Sequence, residues 1–420
     1  MTRKMKDSGI EWIGEIPREW ENKYAFQILI QVECINTGLK EKNLLSLSYG
    51  KIKRKDINTT DGLLPASFEG YNVIEKDDIV LRLTDLQNDQ KSLRVGISRE
   101  RGIITSAYVT LRCRNTFVLA EYLYYYIYAF DISKGFYGMG GGVRQSLDWN
   151  GLKRFEILLP PFSEQRRISR FLDSECAKID RLIEQTRASI EEYKKLKQAM
   201  ITEAVTKGVR GKRKMKDSGI PWIGEIPEEW EIKTVFQIFT QVKNVNIGMQ
   251  ERNLLSLSYG TIKRKDINTT EGLLPASFEG YNIIEDGDIV LRLTDLQNDQ
   301  KSFRVGLAKE RGIITSAYIT LRNRSNVFVN YLYYFLHAFD VSKGFYGMGA
   351  GIRESLNWDG LKSINVLVPT RSEQYDIVFY LDGKTTEIDN LIAQKESLIR
   401  ECETYKKGLI YEYTTGKKSV

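Results

Sequence analysis

Short apolar runs separated by glycine- and asparagine-rich segments dominate the first 162 residues. The segments NLLSLSYG (43–50), DDIVLRL (77–83) and AYVTLR (107–112) alternate or run apolar, which predicts strands. AEYLYYYIYAF (120–130) is long enough for a helix, and its tyrosines favour core packing over a stacking platform for bases. The segments NTTDG, LQNDQ and GMGGG between these elements indicate loops. This part of the chain is therefore predicted to be a mixed α/β domain.

A different pattern follows the Pro160-Pro161 pair. Glu164 suits the first turn of a helix, and no proline or glycine interrupts the chain from there to Lys207. Apolar residues at steps of four and three predict a helix about 60 Å long with a heptad seam, and the same frame recurs near the C-terminus. Ile183, Ile190, Ile392 and Ile399 widen each stripe beyond a strict coiled-coil seam. The predicted core of the helix pair is Ile168, Leu172, Ile179, Leu182, Tyr193, Leu196, Ile377, Leu381, Ile388, Leu391, Leu398 and Tyr405.

The chain contains an internal duplication. MKDSGIEWIGEIPREWE (5–21) returns as MKDSGIPWIGEIPEEWE (215–231), and residues 43–112 match 253–322 at 60 of 70 positions. A period of about 210 residues indicates duplicated domains rather than a solenoid. We predict a first α/β domain at 1–162, a long helix at 163–207, a linker at 208–214, a second α/β domain at 215–371 and a second long helix at 372–415. The simplest arrangement is two antiparallel helices forming a coiled-coil-like spacer between the two α/β domains, with pseudo-twofold symmetry.

The sequence lacks the residues that most enzymes need. Four cysteines without CxxC spacing and a single histidine, His337, argue against metal sites and histidine-based triads. GMGGG does not follow the order of a nucleotide-binding loop, and LPPF (159–162) lacks the polar residue of an amino-methyltransferase motif. We therefore expect a non-catalytic chain without a metal or cofactor of its own. The absence of a long apolar run or signal peptide predicts a cytoplasmic protein.

Three polar loops, each present in both copies, suggest a polyanion partner. The net charge is only +7, which permits nucleic-acid binding without requiring it. Lysine and arginine near residue 54 suit phosphates, whereas glutamine, asparagine and arginine in the other two loops suit base edges. The candidate DNA-binding residues are Lys53, Arg54, Lys55, Arg82, Gln87, Asn88, Gln90, Lys91, Tyr137, Arg144 and Gln145, with Lys263, Arg264, Lys265, Arg292, Gln297, Asn298, Gln300, Lys301, Tyr346, Arg353 and Glu354 in the second copy.

The chain resembles the specificity subunit of type I restriction–modification systems. The resemblance rests on WIGEIPREWE near the start and on GFYGMGGGVRQSLDWNGLKRFEILLPPFSEQRRISRFLD, repeated as GFYGMGAGIRESLNWDGLKSINVLVPTRSEQYDIVFYLD, and it spans essentially all residues. It implies two target-recognition domains that each read half of a split double-stranded DNA target, and helices that recruit two methyltransferase subunits and, through them, restriction subunits. S-adenosylmethionine, Mg²⁺ and ATP would then belong to the partner subunits.

Two alternatives stay open at this point: a fused methyltransferase, and an adaptor whose α/β domains bind protein. The near identity of the copies departs from the dissimilar domains usual in the family, and it predicts a bipartite, near-palindromic target with a spacer of about five to eight base pairs at roughly 3.4 Å per pair. The change expected to break the symmetry of the target is at Gln145, which is Glu354 in the second copy.

Overall fold

The computed structural model describes residues 3–58, 65, 67–89, 92–137, 139–141, 145–268, 275, 277–299, 302–349 and 354–420. The chain forms two compact units, one of residues 1–187 and 396–420 and one of residues 188–395. Each unit contains one α/β domain together with parts of both long helices.

Before the first long helix begins, the described residues of the first unit form twelve strands and three short helices. These are β1 Met5–Asp7, β2 Glu15–Pro17, β3 Glu21–Tyr24, α1 Ala25–Ile28, β4 Leu29–Gln31, β5 Leu45–Ser48, β6 Lys51–Arg54, β7 Asn72–Ile74, β8 Ile79–Leu81, β9 Val95–Ile97, β10 Gly102–Ile104, β11 Val109–Cys113, α2 Ala120–Ile132, α3 Trp149–Leu152, β12 Glu156–Leu159 and α4 Phe162–Lys207.

The second unit repeats this order of elements, with an added 3₁₀ turn at Ile247–Met249. Its elements are β13 Met215–Asp217, β14 Glu225–Pro227, β15 Glu231–Thr234, α5 Val235–Ile238, β16 Phe239–Val242, β17 Leu255–Ser258, β18 Thr261–Arg264, β19 Asn282–Ile284, β20 Ile289–Leu291, β21 Val305–Leu307, β22 Gly312–Ile314, β23 Ile319–Asn323, α6 Val329–Val341, α7 Trp358–Leu361, β24 Asn365–Val368 and α8 Arg371–Thr414.

A four-stranded antiparallel sheet forms the centre of each α/β domain. Its strand order is β4-β11-β8-β9 in the first unit and β16-β23-β20-β21 in the second. In the first unit β5 and β6 form a hairpin in which Ser48 pairs with Lys51 beside the turn. In the second unit β17 and β18 form the same hairpin, and Ser258 pairs with Thr261. The mixed α/β class that the apolar runs predict is therefore confirmed.

The tyrosine-rich helix packs in the core, as predicted. Tyr122 is fully buried, its hydroxyl donates to the Leu158 carbonyl at 3.0 Å, and its ring meets Trp20 edge to face. The Tyr125 hydroxyl donates to the Asp173 carboxylate at 2.8 Å, so it connects α2 to the start of the long helix. Because these aromatic rings are buried and their hydroxyls are satisfied, the helix provides packing rather than an exposed stacking surface.

The Ser-Glu-Gln motif anchors the first turn of each long helix. Glu164 accepts a hydrogen bond from the Trp20 indole at 3.1 Å and pairs with the Arg3 guanidinium at 2.6 Å. The Gln165 side chain accepts from the Leu119 N–H at 2.9 Å and donates to the Pro160 carbonyl at 2.9 Å. These buried polar groups fix the helix to the domain before it. Glu373 and Gln374 make the same contacts in the second unit.

Within each unit the two long helices pack antiparallel. In the first unit the Phe171 and Tyr413 rings lie 4.5 Å apart, and Arg187 pairs with Glu403. In the second unit Lys197 pairs with Asp389, and Arg210, just after the end of α4, pairs with Asp376. The contacting residues of α8 have decreasing numbers as those of α4 have increasing numbers, so the two helices run in opposite directions.

The predicted heptad seam is wrong over part of its length. Ile168, Leu172, Ile179, Ile377, Leu381 and Ile388 are buried, but Leu182 is 43% exposed and Tyr405 is 62% exposed. Leu196 and Leu398 are also exposed, and Tyr193 and Leu391 are only partly buried.

The reason is the period of the buried stripe. Ile168, Ile179, Ile190 and Ile201 are buried at intervals of eleven residues. An eleven-residue repeat corresponds to about 3.67 residues per turn, whereas a strict heptad drifts by about 20° every seven residues on a straight helix. The same interval joins the isoleucines at 377, 388, 399 and 410 of α8.

Candidate nucleic-acid interface

Two of the three candidate loops meet at one end of the four-stranded sheet. The first is residues 82–94 between β8 and β9, and the second is residues 133–148 between α2 and α3. The Leu147 N–H donates to the Leu83 carbonyl at 2.9 Å, and the Leu86 N–H donates to the Gln145 carbonyl at 3.3 Å. We call these described parts of the two loops the loop pair. The corresponding bonds in the second unit are Leu356 to Leu293 and Leu296 to Glu354.

A buried arginine that the sequence analysis missed holds the loop pair together. Arg94 is 0% exposed, and its guanidinium donates to the carbonyls of Arg82, Thr84, Asp85 and Asp89. Its Nε donates to the Tyr137 hydroxyl at 3.3 Å. The fork of guanidinium donors suits several carbonyls at once, so one side chain fixes the path of the 82–89 segment.

The second unit contains the same arrangement around Arg304. This residue is also 0% exposed and donates to the Thr294 carbonyl at 2.9 Å and to the Tyr346 hydroxyl at 3.1 Å. Tyr137 and Tyr346, predicted as DNA contacts, therefore help to brace the loops: each hydroxyl also donates to a carbonyl of the first loop, Asp89 or Asp299.

A buried carboxylate lies behind each arginine. The Arg94 backbone N–H donates to Asp131 at 2.7 Å, and the Arg304 backbone N–H donates to Asp340 at 2.7 Å. Burial raises the pKa of Asp131 and of Asp340 to about 6, although the hydrogen bond and the arginine charge act in the opposite direction. The base of the loop pair therefore contains a group that titrates in mildly acidic solution.

The candidate base-reading residues of the loop pair differ in their exposure and in the partners that their side chains already have. Gln87 and Asn88 are exposed, and the Asn88 amide donates to the Asp85 side chain at 2.7 Å. Arg82 is ion-paired with Asp89, as Arg292 is with Asp299. Gln297 and Asn298 are exposed in the second unit as well. Gln90, Lys91, Arg144, Gln300, Lys301 and Arg353 lie outside the described residues.

The basic residues near position 54 lie on β6 and directly after it. They are at the open end of the β5–β6 hairpin, where Arg54 donates to Glu100 at 2.7 Å and the pKa of Glu100 is lowered by that bond. Lys53 and Lys55 are exposed. In the second unit Arg264 pairs with Glu310, and Lys263 and Lys265 are exposed. Lys53, Arg54 and Lys55 follow Gly50 of the hairpin turn by three, four and five residues, which is about 10 to 17 Å along an extended strand at about 3.3 Å per residue.

The described residues show neither a metal-binding group nor a membrane span. They contain no cluster of three or more histidine, cysteine, aspartate or glutamate side chains placed to hold an ion. His337 is half-buried, and desolvation, with the Lys197 charge, lowers its pKa to about 4. Among the helices of the described part of the chain, none is both long and apolar enough to cross a bilayer.

Comparison with known proteins agrees with the resemblance. No protein-family model matches the chain. A putative type I restriction enzyme MjaX specificity subunit of Methanocaldococcus jannaschii is 25% identical over 96% of this chain and 95% of its own length. The chain is similar to type I specificity subunits. The MjaVIII specificity subunit of the same organism is 26% identical over 76% of this chain and 75% of its own length.

The fold of a solved structure points the same way. A chain from a structural study of complex assembly and conformational transition of the type I restriction–modification system matches with a TM-score of 0.67 and 14% identity. The match covers 96% of this chain and 99% of that chain. The chain thus shares the fold of that chain, and the two relatives confirm the resemblance to specificity subunits.

Proposed function

We propose that this chain is the DNA-specificity subunit of a type I restriction–modification system. The observation that carries the proposal is the loop pair itself, which is braced by a fully buried arginine in both units. A rigid loop that presents exposed amides is suited to reading base edges, because hydrogen bonds discriminate best when their donors are held in place. Each unit would read one half of a bipartite double-stranded DNA target.

The residues divide into three roles in this proposal. Gln87, Asn88 and Gln145, with their copies, contact bases; Lys53 and Lys55, with theirs, contact phosphates. Arg82 braces the first loop through Asp89, because its guanidinium already has a carboxylate partner. Since the two copies differ little, the target is close to palindromic, and the change from Gln145 to Glu354 is where its halves differ.

The chain would act within a larger complex. We infer that it is non-catalytic and recruits two methyltransferase subunits through its helices, and restriction subunits through those. The partner subunits would bind S-adenosylmethionine, Mg²⁺ and ATP, and the assembly would work in the cytoplasm. The length of the similarity to specificity subunits, 96% of this chain, supports this role.

The proposal is tested by selecting duplexes from a random library with the full-length chain co-purified with its methyltransferase subunits. We expect one bipartite motif, and we expect the double variant Gln87→Ala, Gln297→Ala to relax it. The matched variant Lys53→Gln, Lys263→Gln should lower affinity while the motif stays the same. No enriched motif, or the same motif selected by the methyltransferase without this chain, would contradict the proposal.

A further inference from the structure

An exposed tyrosine stands in the turn of each β-hairpin. The two residues between β5 and β6 are Tyr49 and Gly50, with φ values of 47° and 75°. Tyr259 and Gly260 occupy the same turn in the second unit, with φ values of 47° and 77°. Each tyrosine is 74% exposed, so its ring contributes little to the core of its unit.

The turn does not favour this residue. Two-residue hairpin turns with both φ values positive prefer Asn-Gly or Asp-Gly, because a bulky side chain is strained in the left-handed region. A tyrosine that is both strained and exposed stabilises neither the turn nor the core. Backbone strain of this kind collects at functional sites, where the side chain serves another purpose.

The position of the turn indicates what that purpose is. Gly50 lies against Leu93, since a Cβ atom added there would be 3.1 Å from the Leu93 Cβ. Leu93 precedes Arg94, and the neighbouring Ser92 N–H donates to Asp89 of the loop pair at 3.0 Å. Tyr49 is therefore at the same end of the sheet as the loop pair.

We propose that Tyr49 and Tyr259 contact DNA, each ring packing against sugar and base edges in a groove beside the bases that the loop pair reads. The inference rests on the proposed function and adds a contact to it. An exposed phenol ring offers an apolar face to deoxyribose and bases, and the stiff two-residue turn holds it in place at little entropic cost. Lys51, which pairs with Asp180 at 3.1 Å, connects this turn to α4 in the first unit.

The test removes the tyrosine ring without disturbing the turn, because it substitutes asparagine, a residue that such turns prefer. The double variant Tyr49→Asn, Tyr259→Asn should keep or raise the thermal midpoint, because asparagine relieves the strain. It should weaken binding to the duplex selected by the wild-type complex by roughly a hundredfold, about tenfold for each of the two aromatic rings removed from the nucleic-acid interface. Tyr49→Phe, Tyr259→Phe keeps the ring and should bind within about twofold of wild type.

Three results would overturn the inference. One is unchanged affinity of the asparagine variant for the selected duplex while the wild-type complex binds it specifically; that result leaves the proposed function intact. Another is unchanged DNA affinity together with weaker methyltransferase association, which would make the turn a protein-binding element. The third is a wild-type complex that selects no duplex, in which case the proposed function fails with it.

Discussion

The Lys406 ammonium nitrogen lies 2.6 Å from an Asp180 carboxylate oxygen and joins α8 to α4 within the first unit. Lys197 and Asp389 form the equivalent pair at 2.7 Å within the second unit, with the two helices exchanging roles. The duplicated sequence therefore packs the two long helices in one register in both units. Lys51 also contacts Asp180, whereas Thr261 stands at that position in the second copy.

The eleven-residue stripe predicts which helix positions tolerate charge. Ile183→Glu buries a carboxylate at a site that is 8% exposed, and we expect it to lower the free energy of unfolding by about 3 kcal/mol. The neighbouring Leu182→Glu lies at a site that is 43% exposed and should change it by less than about 0.5 kcal/mol. Thermal unfolding of both full-length variants measures this. An equal loss of stability in the two variants would contradict the eleven-residue stripe and favour the heptad seam.

The buried arginine should govern discrimination more than general affinity. Arg94→Lys keeps the charge but cannot reach the four loop carbonyls as a fork, so the 82–89 segment loosens. We expect the ratio of specific to non-specific DNA binding to fall by at least about tenfold, on the scale of one base contact. Tyr137→Phe, which removes one brace, should lower the ratio less.

Competition binding with selected and scrambled duplexes measures this ratio for each variant. If Arg94→Lys weakened both duplexes equally, or weakened neither, Arg94 would not be a positioning residue for base reading.

The buried aspartates predict a pH dependence of stability with a definite sign. The pKa of Asp131 is raised to about 6 in the folded chain, so the folded state holds its proton more tightly than the unfolded state. Its contribution is fully present below the unfolded pKa of about 3.9 and is lost as the pH rises to about 6. Relative to wild type, Asp131→Asn should therefore gain stability over this range, by at most about 1.4 kcal/mol per pH unit.

Asp180→Asn provides the control of opposite sign. Burial acts to raise the pKa of Asp180, but the bonds from Lys406 and Lys51 outweigh it, and the net shift is downward. This variant should lose stability relative to wild type as the pH rises through the range in which carboxylates ionise. Urea unfolding of both variants and wild type between about pH 2.5 and about pH 7 tests the pair, because the Asp180 effect develops mainly below the unfolded pKa of about 3.9. Parallel curves for all three proteins would contradict both assignments.

The exposed lysines of the hairpin should act on DNA without regard to sequence. Lys53→Gln with Lys263→Gln removes two cations, and the removal of each phosphate-binding cation should reduce the slope of log affinity against log salt by about 0.9. Lys76→Gln is the matched control, because Lys76 is exposed and its copy is Asp286. Salt titration of duplex binding distinguishes the double variant from this control. A changed base preference in the Lys53→Gln, Lys263→Gln variant would reverse the assigned roles.

The sequence predicted the fold better than it predicted the interface. Apolar runs such as the one ending in Leu81 identify strands, and the absence of proline and glycine before Lys207 identifies the long helix. The helix seam failed at Leu182 because heptad and eleven-residue repeats coincide over one or two turns and separate only over a longer helix.

Arg94 could not be recognised from the sequence for a different reason. A charged residue at the start of a strand ordinarily indicates the surface, and the carbonyls that satisfy its guanidinium come from a loop whose path the sequence does not give. Tyr49 was missed because its significance lies in a positive φ value, which only coordinates reveal. A tyrosine before glycine at the turn between two strands is the one signal that could have drawn attention to it.

If this chain determines which DNA sequence its complex modifies, the pattern of methylation in the cell must depend on it. Sequencing of methylated adenines in cells that carry the methyltransferase, with and without this chain, tests that dependence most directly. We expect modification only with the chain, at one bipartite motif whose halves are nearly inverted copies, and Glu354→Gln should make the halves more alike. Methylation that is independent of the chain, or two unrelated half-sites, would contradict the proposed role.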